Sequence, residues 1–130
     1  MNIRYLLLLF LCSFSALAQQ DTLVAQREAR RFVREGNELY KNKKLTEAVI
    51  SYKKATEKAA TYFRAAHNFG NALYKQANYK EAITQYELAL KGAKTSQEKA
   101  QAYHNIGNAH VAEKDFEKAV EAFKNSLRNN

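Results

Sequence analysis

The stretch Gly36-Asn37-Glu38-Leu39-Tyr40, followed by Glu47-Ala48, Tyr52 and Ala55, decides how this chain is read. Its leading pair returns as Gly70-Asn71, 34 residues on, and again as Gly107-Asn108 after a further 37. The other positions keep step: Glu47-Ala48 becomes Glu81-Ala82 and Lys118-Ala119, Tyr52 becomes Tyr86 and Phe123, and Ala55 becomes Ala89 and Ser126. A fixed period of this size marks a stack of repeated supersecondary units. The three extra residues fall between Gly92 and Gln97, where a longer loop or an extended helix end costs little.

Within each unit the apolar spacing is helical. Tyr62, Ala65, Ala66, Phe69, Leu73 and Ala77 fall on one stripe, and Tyr79, Ala82, Ile83, Tyr86, Ala89 and Leu90 on a second. Each unit is therefore a pair of antiparallel helices, and the expected spans are 22–42, 46–59, 61–76, 79–92, 96–113 and 116–128. Thr95 with Glu98 has the form of a capping box opening the fifth helix. Gly36, Gly70 and Gly107 each sit mid-helix, where glycine costs about 1 kcal/mol relative to alanine. Three placements at one register imply a close helix approach in return. Ala48, Ala82 and Ala119 are expected to face these glycines. Aromatic or leucine knobs at Leu45, Tyr79 and Phe116, and at Tyr52, Tyr86 and Phe123, are expected to fill the space between neighbouring units.

Working outward, the composition agrees. The chain has 130 residues, no proline and four glycines, with 46% hydrophobic and 26% charged residues. This suits one modest all-α domain and argues against disorder. The formal charge is +8. Lysines and glutamates are interleaved along every helix, as at Lys80-Glu81 and Glu117-Lys118, which is a solvated face rather than a nucleic-acid stripe, so no nucleic-acid partner is expected.

The first residues differ from the rest. Arg4 precedes an apolar run from Tyr5 to Leu11, and small residues lead to Ala16-Leu17-Ala18. Residues 1–18 read as a secretory signal peptide and 19–130 as the mature domain, with repeats at about 29–62, 63–96 and 100–130. The run is shorter than the roughly 20 residues that span a bilayer, so retention as an anchor is the alternative, and no stable membrane insertion is expected after cleavage. Leu11 before Cys12 is too bulky for a lipoprotein site. Cleavage at Ala18 leaves a mature chain with no cysteine and a charge of +7, exported to the periplasm.

The recurring Gly, Ala, aromatic and Ala positions resemble the tetratricopeptide repeat (TPR) family over about residues 29 to 130. The resemblance implies a three-unit solenoid of helix-turn-helix repeats that binds a protein or peptide. With the leader, the stretches Ala72-Leu73-Tyr74-Lys75-Gln76 and Ala102-Tyr103-His104-Asn105-Ile106-Gly107-Asn108 further resemble the exported TPR proteins of the Bacteroides aerotolerance group, the BatC family. That resemblance implies membrane partners with von Willebrand factor A domains and a role in oxidative-stress tolerance or envelope integrity. The chain departs from the pattern at Glu35, where leucine is expected, and in having no proline to close a repeat. It stops at Asn129-Asn130 without a polar capping helix, as expected of a fragment or of an edge covered by a partner.

In such a stack the first helix of each unit lines the concave face. The candidate partner-binding residues are Arg30, Arg34, Asn37 and Lys41 in the first unit, Arg64, His67, Asn68, Asn71 and Tyr74 or Lys75 in the second, and Gln101, His104, Asn105 and Asn108 in the third. A carboxamide offers both a donor and an acceptor to an extended peptide backbone, so Asn37, Asn71 and Asn108 form a ladder suited to one. The competing reading has them bond to neighbouring backbone and fix repeat geometry. An acidic tail or terminal carboxylate suits the arginines, although only Asn37 and Asn68 match the family's carboxylate-clamp positions. Self-association is the second functional reading, through the last helix at Phe116, Val120, Phe123 and Leu127. No enzymatic activity, cofactor or metal is expected. His104 and His110 are six apart and face different ways, and neither a nucleophile motif nor a phosphate loop is present.

Overall fold

The computed structural model describes residues 3–130, leaving aside the side chains of 6–18 and of 21. The described residues form an all-helical solenoid: α1 Ile3–Lys41, α2 Leu45–Lys58, α3 Phe63–Lys75, α4 Tyr79–Gly92, α5 Ser96–Ala112 and α6 Phe116–Arg128. The pairs α1/α2, α3/α4 and α5/α6 are the three units. Each second helix packs on the first helix of the next unit, and α1, α3 and α5 also touch in sequence.

Four of the six helices match their expected spans within one residue at each end. The first does not, because α1 is continuous from Ile3 rather than starting at 22. Gln19-Gln20-Asp21-Thr22 contains no glycine or proline to stop a helix. The apolar run before the cut after Ala18 lies among residues whose side chains are outside the described ones. The other exception is α3, which starts two residues late because Tyr62 is in extended backbone as its N-cap.

The three inserted residues lengthen α5 rather than the loop. α5 has 17 residues against 13 in α3, and Thr95 caps it by accepting from the Glu98 amide at 3.1 Å. Glu98 reaches back to the Lys94 amide at 2.7 Å, one residue ahead of the usual capping-box partner. The turn inside each unit carries a residue at the same left-handed position: Lys43 at φ 61°, Ala77 at φ 60° and Lys114 at φ 63°. None is glycine, so each turn pays for its geometry with a Cβ in a crowded region.

The repeated glycines do permit close approach, and the partner is the aromatic ring. A Cβ on Gly36, Gly70 or Gly107 would stand 2.6, 2.5 and 2.5 Å from Tyr52, Tyr86 and Phe123 of the same unit. These rings therefore lie on their own unit's glycine, and Tyr52 and Tyr86 also join the core that runs between units with Phe69, Leu73 and Ile106. Gly92 is a separate case, since its Cβ would meet the Thr61 carbonyl oxygen at the turn before α3. The main core runs along the stack, with Ala48, Tyr52, Phe69, Leu73, Tyr86, Ile106 and Ala122 among its buried members. Glu35 stands on the outer unit, where it is exposed and accepts from the buried Ser51 hydroxyl at 3.1 Å.

Candidate functional site: an asparagine and tyrosine groove

The first helices α1, α3 and α5 lie side by side and are joined by side chains rather than backbone. Tyr52 donates its hydroxyl to Asn37 Oδ1 at 2.8 Å, and Asn68 Nδ2 donates to the same oxygen at 3.0 Å. One unit further, Tyr86 donates to Asn71 Oδ1 at 2.9 Å and Asn105 Nδ2 donates to it at 3.1 Å. The motif is thus a tyrosine from the second helix, an asparagine from the first, and an asparagine from the first helix of the next unit. Burial, and secondarily the nearby Tyr40 phenol, push Tyr52 up to about 12; burial, then Tyr74 and Tyr40, raise Tyr86 as well. Both phenols therefore stay protonated and act as donors.

This alters what the ladder offers. The oxygens of Asn37 and Asn71 are each engaged twice, so the polar group each has left is its Nδ2 donor. The bonds run to side chains and not to neighbouring backbone. Fixing repeat geometry and facing the groove are combined in the same residues. Phe123 has no hydroxyl and gives Asn108 no equivalent partner.

Two cavities repeat along the groove. The first, about 230 Å³, is lined by Asn37, Tyr40, Tyr52, Asn68 and Asn71. The second, about 130 Å³, has the equivalents one unit along, Asn71, Tyr74, Tyr86, Asn105 and Asn108, with Tyr40 and Lys75 added. Asn37, Asn68, Asn71, Tyr74, Asn105 and Asn108 are therefore brought together along these two cavities. Tyr40 was missed, although it stands four residues after Gly36 as Tyr74 does after Gly70. The hydroxyls of Tyr52 and Tyr86 were also missed, because those rings read only as packing.

The remaining candidates lie elsewhere. Arg30 and Arg64 line a cleft of about 270 Å³ at the rim, with Lys94 and Glu98. His67, Gln101, His104 and Asn105 line another of about 440 Å³ beside the end of α6. Arg34 is exposed and lines none of these. His67 is packed into the structure: it stacks on Phe63 with ring centroids 5.1 Å apart and sits 3.0 Å from Asn105 Nδ2 through Nε2. Burial lowers its pKa, against a weaker opposing effect of Asn68. The ring is thus neutral and accepts at Nε2. His104 instead packs against Phe123 at 5.6 Å. Among the described residues, no three histidine, cysteine or acidic side chains form a metal-holding group, and no helix is long and apolar enough to cross a membrane.

The tetratricopeptide repeat pattern matches residues 61–130, just over half of the chain. No curated protein matches it. Among solved structures, the N-terminal domain of stress-induced protein-1 (STI-1) from C. elegans is 24% identical, with a TM-score of 0.76 over 81% of this chain and 86% of that one. The second TPR of Spaghetti (RPAP3), solved with the HSP90 peptide SRMEEVD, is 20% identical, with a TM-score of 0.76 over 85% and 99%. The TPR2B domain of yeast Sti1, solved as a pHsp70 complex, is 23% identical, with a TM-score of 0.73 over 79% and 80%. At these identities the likeness establishes the fold alone.

Proposed function

Taking as premise that the chain belongs to the tetratricopeptide repeat family, we propose that it is a non-enzymatic interaction scaffold that holds a peptide segment of a protein partner in the concave groove. The observation that carries this is the pair of equivalent cavities, each lined by tyrosines and by an asparagine whose oxygen is engaged by a tyrosine hydroxyl. Lys75 in the second cavity and Arg30 and Arg64 at the rim favour an acidic segment or a terminal carboxylate. The structural relatives solved with the acidic peptide SRMEEVD support that choice of ligand.

The reading of 1–18 as a leader supports export to the periplasm. The resemblance to the Bacteroides aerotolerance group supports a place in an aerotolerance or envelope complex, with membrane proteins bearing von Willebrand factor A domains as partners. The test replaces Asn37, Asn71 and Asn108 together by alanine. Capture of partner from envelope extract is expected to fall while circular dichroism stays helical. Undiminished capture by a folded triple variant removes the groove from consideration.

One observation favours a second reading, self-assembly through α6. Phe116, Val120 and Leu127 are 62%, 51% and 73% exposed on one stripe of that helix. Their counterparts Tyr79, Ile83 and Leu90 on α4 are partly buried, and α4 packs on α5. Sedimentation that depends on concentration, and is abolished by Leu127→Glu, is the expected result. A monomer at every concentration ends this reading.

A further inference from the structure

The two cavities constrain the conformation of what they hold. They are built from equivalent residues one unit apart, and Tyr40 and Asn71 belong to both. Their separation is therefore the step between neighbouring first helices. Those helices are in direct contact, and Asn37 of α1 bonds Asn68 of α3 at 3.0 Å. Packed helices lie roughly 8–10 Å apart, which is then the distance between the two side chains of a ligand seated in successive cavities.

Few backbones place two side chains on one face at that distance. In a β-strand, residues i and i+2 share a face but are only about 6.6 Å apart, and i and i+3 point to opposite faces. In a polyproline II helix, residues i and i+3 share a face at about 9.3 Å. An α-helix offers i and i+7 at about 10.5 Å, but its own hydrogen bonds occupy its carbonyls.

The donors in the groove separate the last two. The oxygens of Asn37 and Asn71 are engaged, which leaves Nδ2 as the remaining polar group of each, and a ligand beside them pairs with it through a free carbonyl. A polyproline II segment has no internal hydrogen bonds and leaves every carbonyl available. It also needs few acceptors from the protein where its residues are proline. The tyrosine walls, Tyr40 with Tyr52 and Tyr40 with Tyr74 and Tyr86, supply flat faces against which a proline ring or a branched apolar side chain packs.

We propose that the groove holds its peptide in the polyproline II conformation, with apolar residues i and i+3 in the two tyrosine and asparagine cavities. This rests on the groove reading above and adds the register and backbone form of the ligand.

The test uses fluorescein-labelled twelve-residue peptides of acidic, serine-rich host sequence, each with two leucines separated by two, three, four or seven positions. A second set places proline at the two residues between the leucines of the three-spaced peptide. Binding to the chain lacking residues 1–18 is read by fluorescence anisotropy, beside full-length protein as a check that the shortened chain behaves alike. The three-spaced peptide is expected to bind at least tenfold more tightly than the two- and four-spaced ones. Proline between the leucines is expected to tighten it further, and Asn37→Ala with Asn71→Ala to weaken it.

Equal affinity at all spacings, preference for seven, loss of binding on introducing proline, or no binding by any peptide overturns the register. If spacing is immaterial but the asparagine variants still lose binding, the register fails while the groove reading stands. If those variants bind every peptide as the wild type does, the groove reading fails too.

Discussion

The second and third units share the Gly-Asn pair and the facing alanine of the register, and differ in the aromatic ring and in what lies beyond it. In the second, Tyr86 is buried over Gly70 and bonds Asn71, which Asn105 of the next unit also bonds. In the third, Phe123 covers Gly107 in the same way but is only half-buried, has no hydroxyl for Asn108, and no unit follows among the described residues. The packing of ring on glycine is therefore a property of one unit. The hydrogen-bonded groove is a property of the joint between two.

The strongest way to break this comparison is to add one methyl group at each glycine. At Gly70 the new Cβ would stand 2.5 Å from a ring that is held by its hydroxyl and by core neighbours. Overpacking of this kind costs about 1–3 kcal/mol, and at a ring held this firmly the middle to upper part of that range outweighs the roughly 1 kcal/mol that alanine returns in helix propensity. Gly70→Ala is expected to lose about 1–2 kcal/mol in urea unfolding followed by circular dichroism. Gly107→Ala meets Phe123 at the same 2.5 Å, but that ring borders the exposed face of α6 and is free to lean outward. Its loss is expected to be less than half as large. Equal losses would mean that the end unit is packed as firmly as the middle one.

The hydroxyl comes next. Tyr86→Phe removes a bond to a half-buried asparagine and is expected to cost about 1 kcal/mol. The reverse change, Phe123→Tyr, places a hydroxyl beside Asn108 and is expected to gain about 0.5 kcal/mol, since both residues are only partly buried. A larger gain at Phe123 than loss at Tyr86 would show that the bond needs no joint.

These residues also show what the sequence exposes and what it hides. The Gly, Ala and aromatic register gave the number of units, the helix pairing and the groove-lining face, because burial repeats with the period of the fold. The hydrogen bonds Tyr52 to Asn37 and Asn68 to Asn37 were hidden, since they join residues 15 and 31 apart: the first depends on how α1 and α2 pair, the second on how units are stacked. An asparagine in a sequence has both a donor and an acceptor. Only the packed structure shows that the acceptor is already engaged. Tyr40 was hidden for another reason: an aromatic four residues beyond the glycine reads equally well as core. The fate of the inserted residues was undecidable from spacing, because a longer loop and a longer α5 preserve the same register.

The left-handed turns sharpen the comparison from the opposite side, because they depend on neither joint nor neighbour. Ala77 and Lys114 adopt φ of 60° and 63° in the turns of the second and third units. Such a residue costs roughly 1–2 kcal/mol relative to glycine in that region, offset in part by the greater freedom glycine loses on folding. Ala77→Gly and Lys114→Gly are each expected to stabilise by about 0.5–1 kcal/mol, by the same amount in both units. A gain confined to the second would place the strain in the stack rather than the turn.

The smallest expected effect is on pH dependence, and it again singles out the middle unit. Val33, His67 and His104 are equivalent in the three units, and His67 is stacked on Phe63 and held to Asn105 across the joint. Burial lowers its pKa from the ordinary 6.5, so the folded state favours the neutral ring. As pH falls below 6.5 the unfolded chain takes up a proton first, and stability is lost progressively until the folded pKa is passed. Above 6.5 this contribution is fully present. The thermal midpoint is therefore expected to fall between pH 7.5 and pH 5 more in the wild type than in His67→Val, which restores at this register the residue the first unit already has. Identical slopes in the two proteins would mean that the ring is wetter than its packing indicates, and would remove the histidine from the joint between α3 and α5.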